Sequence, residues 1–262
     1  MGDSGRRTFI IASTGDRKNG LIRLLFSLKP FFDSGWTAVV VAQGYSEQDI
    51  LDVRSMCGGN VVIVCSKHLV GAHSAKIVAL NRVQSDVWCS LDDDMYAIQA
   101  TDYDKMADIL LNDRSIGFIS GNWARTEKQA HNKQVIDNLV PQKLVFTGGG
   151  LLFREDVAEI IRHIPNEQYL FDDCLWAMYA YINGYNNFRY RGSVTVHEIC
   201  TVGGRRTWIK ETTARQRILP PPELLRVRRG KGKEGYNEYL ICMDSDLTEM
   251  AHKLHKERLK CP

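Results

Sequence analysis

The stretch Val87-Trp88-Cys89-Ser90-Leu91-Asp92-Asp93-Asp94 decides how this chain is read. A short apolar run bounded by turn residues is the mark of a fully buried strand, and this one ends in three carboxylates. Adjacent carboxylates raise one another's pKa unless something neutralises them. A divalent cation resolves that repulsion. Hard oxygen ligands suit Mg²⁺ or Mn²⁺, and Mg²⁺ sites combine one or two carboxylates with substrate phosphates. Alternate residues of an extended segment point the same way, so Asp92 and Asp94 are expected to face one site, with Asp93 between them. A solvated turn or a helix cap is the plain alternative for an acidic triplet. The position at the end of a strand favours the cation.

Toward the N-terminus the sequence alternates between strand and helix signals. Thr8 to Ser13 reads as a buried strand, followed by a helix with Leu21, Leu24, Leu25 and Leu28 on one face. Thr37 to Ala42 reads as a second strand, and Ser46 is placed to cap a helix over 47–56. A third strand over 60–65, a Gly/His/Ser loop and a helix from Ala75 to Val83 lead back to the opening stretch. Continuous apolar strands alternating with helices imply a parallel sheet covered on both faces. Ligands bind such sheets at the carboxyl ends of the strands.

Toward the C-terminus the pattern loosens. A helix is expected over 102–112, a strand over 115–120, and a loop or mobile helix over the polar 122–138. Gly148-Gly149-Gly150 precedes the apolar Leu151-Leu152-Phe153. Helices follow over 155–163 and from Asp172 to about Gly184, then a last strand from Ser193 to His197. After Gly203-Gly204 come a basic segment, the Pro220-Pro221-Pro222 break and an amphipathic tail.

The chain has 262 residues, 34 Lys and Arg against 31 Asp and Glu, and 44% hydrophobic residues. That length suits one large α/β domain, and the composition excludes a disordered or collagen-like chain. The net charge of +3 is unevenly spread: ten basic and two acidic residues between Arg205 and Lys233 give that segment +8 and leave the rest at −5. No apolar run approaches the ~20 residues that span a bilayer. Seven cysteines without a Cys-x-x-Cys pair read as free thiols rather than a zinc site or a disulfide framework. The expectation is a reduced, cytoplasmic protein.

The ordered motifs resemble a nucleotide-sugar glycosyltransferase of the GT-A fold, family-2-like, in which an Asp-x-Asp motif holds a metal on the donor diphosphate. The resemblance runs over residues 8–200. It is carried by Ser13-Thr14-Gly15-Asp16-Arg17 after the first strand, by Gly71-Ala72-His73-Ser74-Ala75-Lys76-Ile77, and by Val87 to Met95. It implies a Rossmann-related mixed, mostly parallel sheet flanked by helices. The implied layout is a catalytic domain over 1–204, with nucleotide-binding (1–100) and acceptor (101–204) halves, and a basic extension over 205–262 packing on it. It implies that Ser13, Thr14, Asp16, Arg17 and Gln43 cradle the nucleoside of a UDP-sugar or similar donor, with Asp93 nearby. Helix capping by Ser or Asp and a surface arginine are the bland readings of those residues. Lys76 either touches the donor or lies on a solvated helix face. It stands where the family has Ala-Arg-Asn and this chain has Ala75-Lys76-Ile77.

The same resemblance assigns the second half. Thr147-Gly148-Gly149-Gly150 resembles a small-residue loop that lets backbone approach donor sugar and acceptor; a flexible turn is the plain alternative for consecutive glycines. Asp172-Asp173 resembles the acidic pair that opens a helix in inverting members, with Asp173 the base and Asp172 in support; simple capping is the alternative. His197, after an apolar strand, matches the late histidine that completes the metal shell.

The acceptor is read from charge. Arg205, Arg206, Trp208 and Lys210 begin a segment suited to a polyanion, with phosphate neutralisation for affinity and an indole for stacking. This makes a DNA acceptor plausible, as in the phage enzymes that glycosylate hydroxymethylated pyrimidines in the host cytoplasm. A lid over the donor diphosphate is the competing role. A non-catalytic binding module on the same fold, a glycosyltransferase acting on a glycan or small molecule, and a sugar-1-phosphate nucleotidyltransferase are the other functional readings. Sequence alone leaves the oligomeric state open.

Overall fold

The structure is a computed structural model that describes residues 5–68, 70–142, 147–164 and 172–198. In chain order its elements are β1 (Arg7–Thr14), α1 (Lys18–Ser27), α2 (Lys29–Asp33), β2 (Trp36–Gln43), α3 (Glu47–Met56), β3 (Val61–Ser66), α4 (Ala72–Leu80) and β4 (Val87–Asp92). There follow β5 (Met95–Ala97), α5 (Tyr103–Asn112), β6 (Ile116–Ala124), α6 (Glu127–His131), β7 (Leu139–Gln142), β8 (Leu151–Arg154), α7 (Glu155–Arg162), α8 (Asp172–Ile182) and β9 (Asn186–His197). Single 3₁₀ turns lie at Gly15–Arg17 and Thr147–Gly149.

Among the described residues the strands form one mixed sheet in the order β3-β2-β1-β4-β8-β6-β9-β5, with β7 paired to β9. The first half, β3-β2-β1-β4, is parallel throughout, as the continuous apolar runs require. Antiparallel β8 then joins β4 to β6, and β6 runs parallel to β9. The expected mixed α/β sheet flanked by helices is the observed one.

Alternation along β1 divides the core. Phe9 and Ile11 face α1 and α5, packing with Leu21, Leu24, Trp36 and Tyr103. Ile10 faces α4, α7 and α8, with Trp88, Phe153, Ile161 and Trp176. Each such fully buried side chain contributes about 1.5–3 kcal/mol relative to exposure. Phe9 stacks on Trp36 with centroids 4.4 Å apart, and the Trp36 indole N–H, which burial would otherwise strand, donates to Asp104 at 2.8 Å.

Ser46 caps α3 as expected, its hydroxyl accepting from the Asp49 N–H while the Asp49 carboxylate returns to the Ser46 N–H. Several boundaries differ from the sequence reading. Helix α4 begins at Ala72 rather than Ala75, because Gly71 takes φ +86° and turns the chain into the helix at once. The polar 122–138 region is neither a plain loop nor one helix: β6 continues to Ala124, and Thr126 caps the short α6. The last strand starts at Asn186 rather than Ser193, its apolar pattern broken by Arg189, Arg191, Gly192 and a register shift opposite Gly121–Asn122. Strand β7 was not expected, since it contains Pro141. It pairs only with β9, and proline is tolerated at a sheet edge. Among the described residues no helix is long and apolar enough to cross a membrane.

Candidate metal and donor site

Parallel pairing of β1 with β4 sets Ala12 opposite Asp92, so both strands deliver their carboxyl ends to one edge. The chain turns at Asp93-Asp94 and re-enters the sheet as β5, antiparallel to β9. The register of that pair, Met95 opposite His197, carries the histidine back to the acidic turn. The Glu198 N–H extends the ladder by donating to the Asp94 carbonyl at 3.0 Å. Asp92, Asp94 and His197 therefore converge, offering three ligand atoms within 4.8 Å of one another. The edge of the Trp123 ring stands against His197, centroids 5.9 Å apart.

This donor set fits a divalent cation. Among the described residues Asp94 Oδ1 is buried without a hydrogen-bond partner. It lies 3.1 Å from His197 Nε2, near enough for electrostatic attraction but outside hydrogen-bond geometry. A buried carboxylate oxygen left so is costly, and a cation would satisfy it. Two carboxylates and an imidazole suit Mn²⁺, whose coordination tolerates nitrogen better than that of Mg²⁺.

The three aspartates have different surroundings. Burial pushes each carboxyl upward, and the neighbours decide the outcome. At Asp92, Lys76 and His197, with hydrogen bonds from Lys76 and Thr147, overcome burial and hold the group low. At Asp94, His197 and Arg17 do the same. At Asp93 burial prevails over Arg17 and the Ser13 hydrogen bond, and with Asp94 and Asp92 adding repulsion the carboxyl rises to about 7. Arg17 pairs with Asp93 at 2.9 Å yet does not bring it down. The guanidinium is itself 31% exposed and shared with Asp94 at 2.8 Å, while Asp93 is enclosed. His197 is shifted upward: burial opposes its charge, but Asp94 and Asp92 outweigh it.

The residues expected to cradle a nucleoside are partly committed within the protein. Ser13 donates to Asp93 Oδ2 at 2.7 Å and shares a 2.7 Å hydrogen bond with the Tyr45 hydroxyl. The buried Gln43 accepts from the Val70 N–H through Oε1 at 2.8 Å. The Thr14 hydroxyl donates to Asp16 at 2.6 Å, and Asp16 stays exposed. Arg17 reaches the acidic turn rather than lying on the surface. Lys76 is on no solvated face: its side chain is 1% exposed, with Nζ 3.2 Å from Asp92 Oδ1 and over the Trp176 ring.

The triple glycine has an internal reason. A Cβ on Gly149 would collide with the Gly121 carbonyl of β6, and one on Gly148 would stand 2.9 Å from the Trp123 ring. At Gly149 the close approach is to the protein's own backbone, while Gly148 and Gly150 meet the Trp123 and Tyr103 rings. Just before it, Thr147 joins the two halves of the site: its N–H donates to Asp173 Oδ2 at 2.7 Å, and its hydroxyl lies 3.0 Å from Asp92 Oδ2. Asp173 is buried on the first turn of α8. The Asp172 side chain lies outside the described residues, as do Arg205, Arg206, Trp208, Lys210 and the whole of 205–262. The sequence placed Thr147 only as the first residue of the small-residue loop, with no role for its hydroxyl, and gave no role to Tyr45 or Trp176.

The architecture is the GT-A-like α/β fold. No protein-family model matches the chain, and no curated protein matches it in sequence. Among solved structures it is similar to the mannosyltransferase PcManGT from Pyrobaculum calidifontis in complex with GDP-Man and Mn²⁺. The TM-score is 0.59 at 14% identity, over 98% of this chain and 76% of that one. Residues 1–349 of TarS from S. aureus match with a TM-score of 0.58 at 14% identity, over 97% of this chain and 87% of that one. GalNAc-T7 with UDP, GalNAc and Mn²⁺ matches at 0.61 with 9% identity, over 96% and 55%. At such identities the likeness is one of fold.

Proposed function

We propose that this protein is a metal-dependent glycosyltransferase that moves a sugar from a nucleoside diphosphate donor, UDP-sugar in the first instance, to an acceptor hydroxyl. The observation that carries the reading is the convergence of Asp92, Asp94 and His197 at the carboxyl edge of the sheet, with Asp173 one residue's reach away through Thr147. Structures of the same fold that hold GDP-Man or UDP with Mn²⁺ add weight to it.

In this reading Asp92, Asp94 and His197 hold Mn²⁺. A bound divalent cation would offset the negative charge that builds on the leaving diphosphate. Arg17 and Lys76, already among the carboxylates, supply further positive charge for phosphate oxygens. Ser13, Thr14, Asp16, Gln43 and Tyr45 border the nucleoside. Asp173 accepts the proton of the acceptor hydroxyl as its oxygen bonds to the anomeric carbon and the bond from that carbon to the diphosphate breaks, an inverting displacement. Asp172 supports it. A base must lie within hydrogen-bond reach of the hydroxyl it deprotonates, and Asp173 stands on the first turn of α8, where a helix dipole favours a carboxylate.

The acceptor reading rests on charge alone. The +8 segment between Arg205 and Lys233, with Trp208 within it, favours a polyanion such as DNA bearing hydroxymethylated pyrimidines. The decisive experiment is a panel of nucleotide sugars with Mn²⁺, tested against hydroxymethylpyrimidine DNA, unmodified DNA and glycan acceptors, with products read by mass spectrometry. Transfer dependent on donor and metal supports the enzyme. Transfer to no DNA substrate removes the DNA acceptor, and salt-sensitive DNA binding with no donor affinity would make the chain a binding module instead.

A further inference from the structure

We propose that Thr147 is a positioning residue that couples cation occupancy at Asp92 to the orientation of Asp173, through a single hydroxyl proton that both carboxylates compete for. This rests on the glycosyltransferase reading of Asp92 and Asp173.

The geometry is specific. Thr147 Oγ1 lies 3.0 Å from Asp92 Oδ2 and 3.3 Å from Asp173 Oδ2. A hydroxyl donates one proton, so it can bond well to only one of two carboxylates at a time. The shorter contact is to Asp92. There the other oxygen, Oδ1, is met by Lys76 Nζ at 3.2 Å. Asp173 Oδ2 meanwhile keeps the Thr147 N–H at 2.7 Å. The two carboxylates come from different elements, β4 and α8, and the Thr147–Gly149 turn stands between them.

Thr147 is 5% exposed, and its turn is pinned where Gly149 presses on Gly121. Neither backbone nor rotamer need move to change partner: the hydrogen turns about the Cβ–Oγ1 bond. Were Asp92, Asp94 and His197 to hold a cation, the Asp92 lone pairs would be partly engaged and that carboxylate's claim on the hydrogen would weaken. The hydroxyl would then turn to Asp173 Oδ2, adding its donor to the Thr147 N–H already on that oxygen. No covalent bond changes. Filling the metal half of the site would thereby add to the hydrogen bonding that orients Asp173.

The test is a double-substitution cycle on Mn²⁺ affinity, read by the electron paramagnetic resonance of free Mn²⁺ and needing neither donor nor acceptor. The unsubstituted protein, Thr147→Val, Asp173→Asn and the double variant are compared. Coupling requires that Asp173→Asn shift the Mn²⁺ Kd about threefold or more beyond its effect in the Thr147→Val background, a difference that independent sites do not show. Thr147→Ser, which keeps the hydroxyl, should retain the coupling. Equal shifts in both backgrounds, or a Thr147→Ser protein that behaves as Thr147→Val, would overturn the inference while leaving the transferase reading intact. No Mn²⁺ binding by the unsubstituted protein would overturn the metal assignment and this inference together.

Discussion

Met95 and His197 face each other across the antiparallel β5–β9 pair, and that register brings the imidazole Nε2 to 3.1 Å from Asp94 Oδ1. Two residues more than a hundred positions apart in sequence thus meet because a three-residue strand re-enters the sheet immediately after the acidic turn. The position of His197 is a property of the backbone ladder, so replacing its ring should change the ligand set without moving the strand. His197→Ala and Asp94→Asn are each expected to weaken Mn²⁺ binding on the order of 10–100-fold or more, judged against the cost of disturbing groups that merely support metal ligands. Titration of Mn²⁺ against the protein measures this. Unchanged affinity in both variants would remove the cation from this cluster.

Asp173 offers a separate test, because the Thr147 N–H that it accepts can equally be accepted by an amide oxygen. Asp173→Asn should therefore fold and, at saturating Mn²⁺, bind donor as before. Transfer should fall by about 10²–10⁴-fold, the usual span for loss of a general base. Steady-state kinetics with the donor and acceptor identified by the panel give the answer: a kcat at the unsubstituted level would take the base assignment from Asp173.

The two halves of the site were unequally legible in the sequence. Strands β1 to β4 lie in the parallel half of the sheet, where β1, β2 and β4 are largely buried and even the edge strand β3 keeps an apolar run, so the order of elements and the place of Asp92 and Asp94 could be read directly. β5 and β7 are short and pair antiparallel to β9, and β9, though parallel to β6, carries a register shift; Pro141 and Gly192 interrupt the pattern further. Those strands were missed or cut short. The same difference explains the site residues. Asp92 announces itself by its carboxylate neighbours, but the role of Thr147 depends on two contacts from β4 and α8 that no local pattern encodes. The sequence left Lys76 either touching the donor or on a solvated helix face; spacing cannot show that Trp176, one hundred residues later, lies against its ammonium and removes the solvated alternative.

Arg154 is a stability determinant rather than a site residue. At the end of β8 its guanidinium donates to the carbonyls of Leu110, Asp113, Arg114 and Ile116, which close α5 and open β6, and it pairs with Asp156. Removing it strands several carbonyls, some of them buried, each costing about 1–3 kcal/mol where water cannot enter. Arg154→Ala is expected to lower the unfolding free energy by about 3 kcal/mol or more, measured by urea denaturation. Arg154→Lys should recover only part, since an ammonium cannot span the same fork. A loss within about 0.5 kcal/mol, ordinary for a surface position, would contradict the structure here.

Gly149 separates two explanations of the triple glycine. If the loop is small only so that a donor sugar can approach, a methyl group there would spoil binding and leave the fold alone. The structure instead puts the Gly121 backbone in the space that a Cβ would need, and backbone cannot swing aside as a side-chain tip can. Gly149→Ala should therefore force β6 and the Thr147–Gly149 turn apart, an overpacking cost of about 1–3 kcal/mol or more. Because that turn holds Thr147 between Asp92 and Asp173, Mn²⁺ affinity should fall along with stability. Gly148→Ala meets the near side of the Trp123 indole at 2.9 Å, a side chain rather than backbone, and should be the milder of the two. Thermal unfolding of both variants, with and without Mn²⁺, ranks them. A Gly149→Ala protein as stable as the unsubstituted chain but defective only with donor present would return the glycines to the role that the sequence alone suggested.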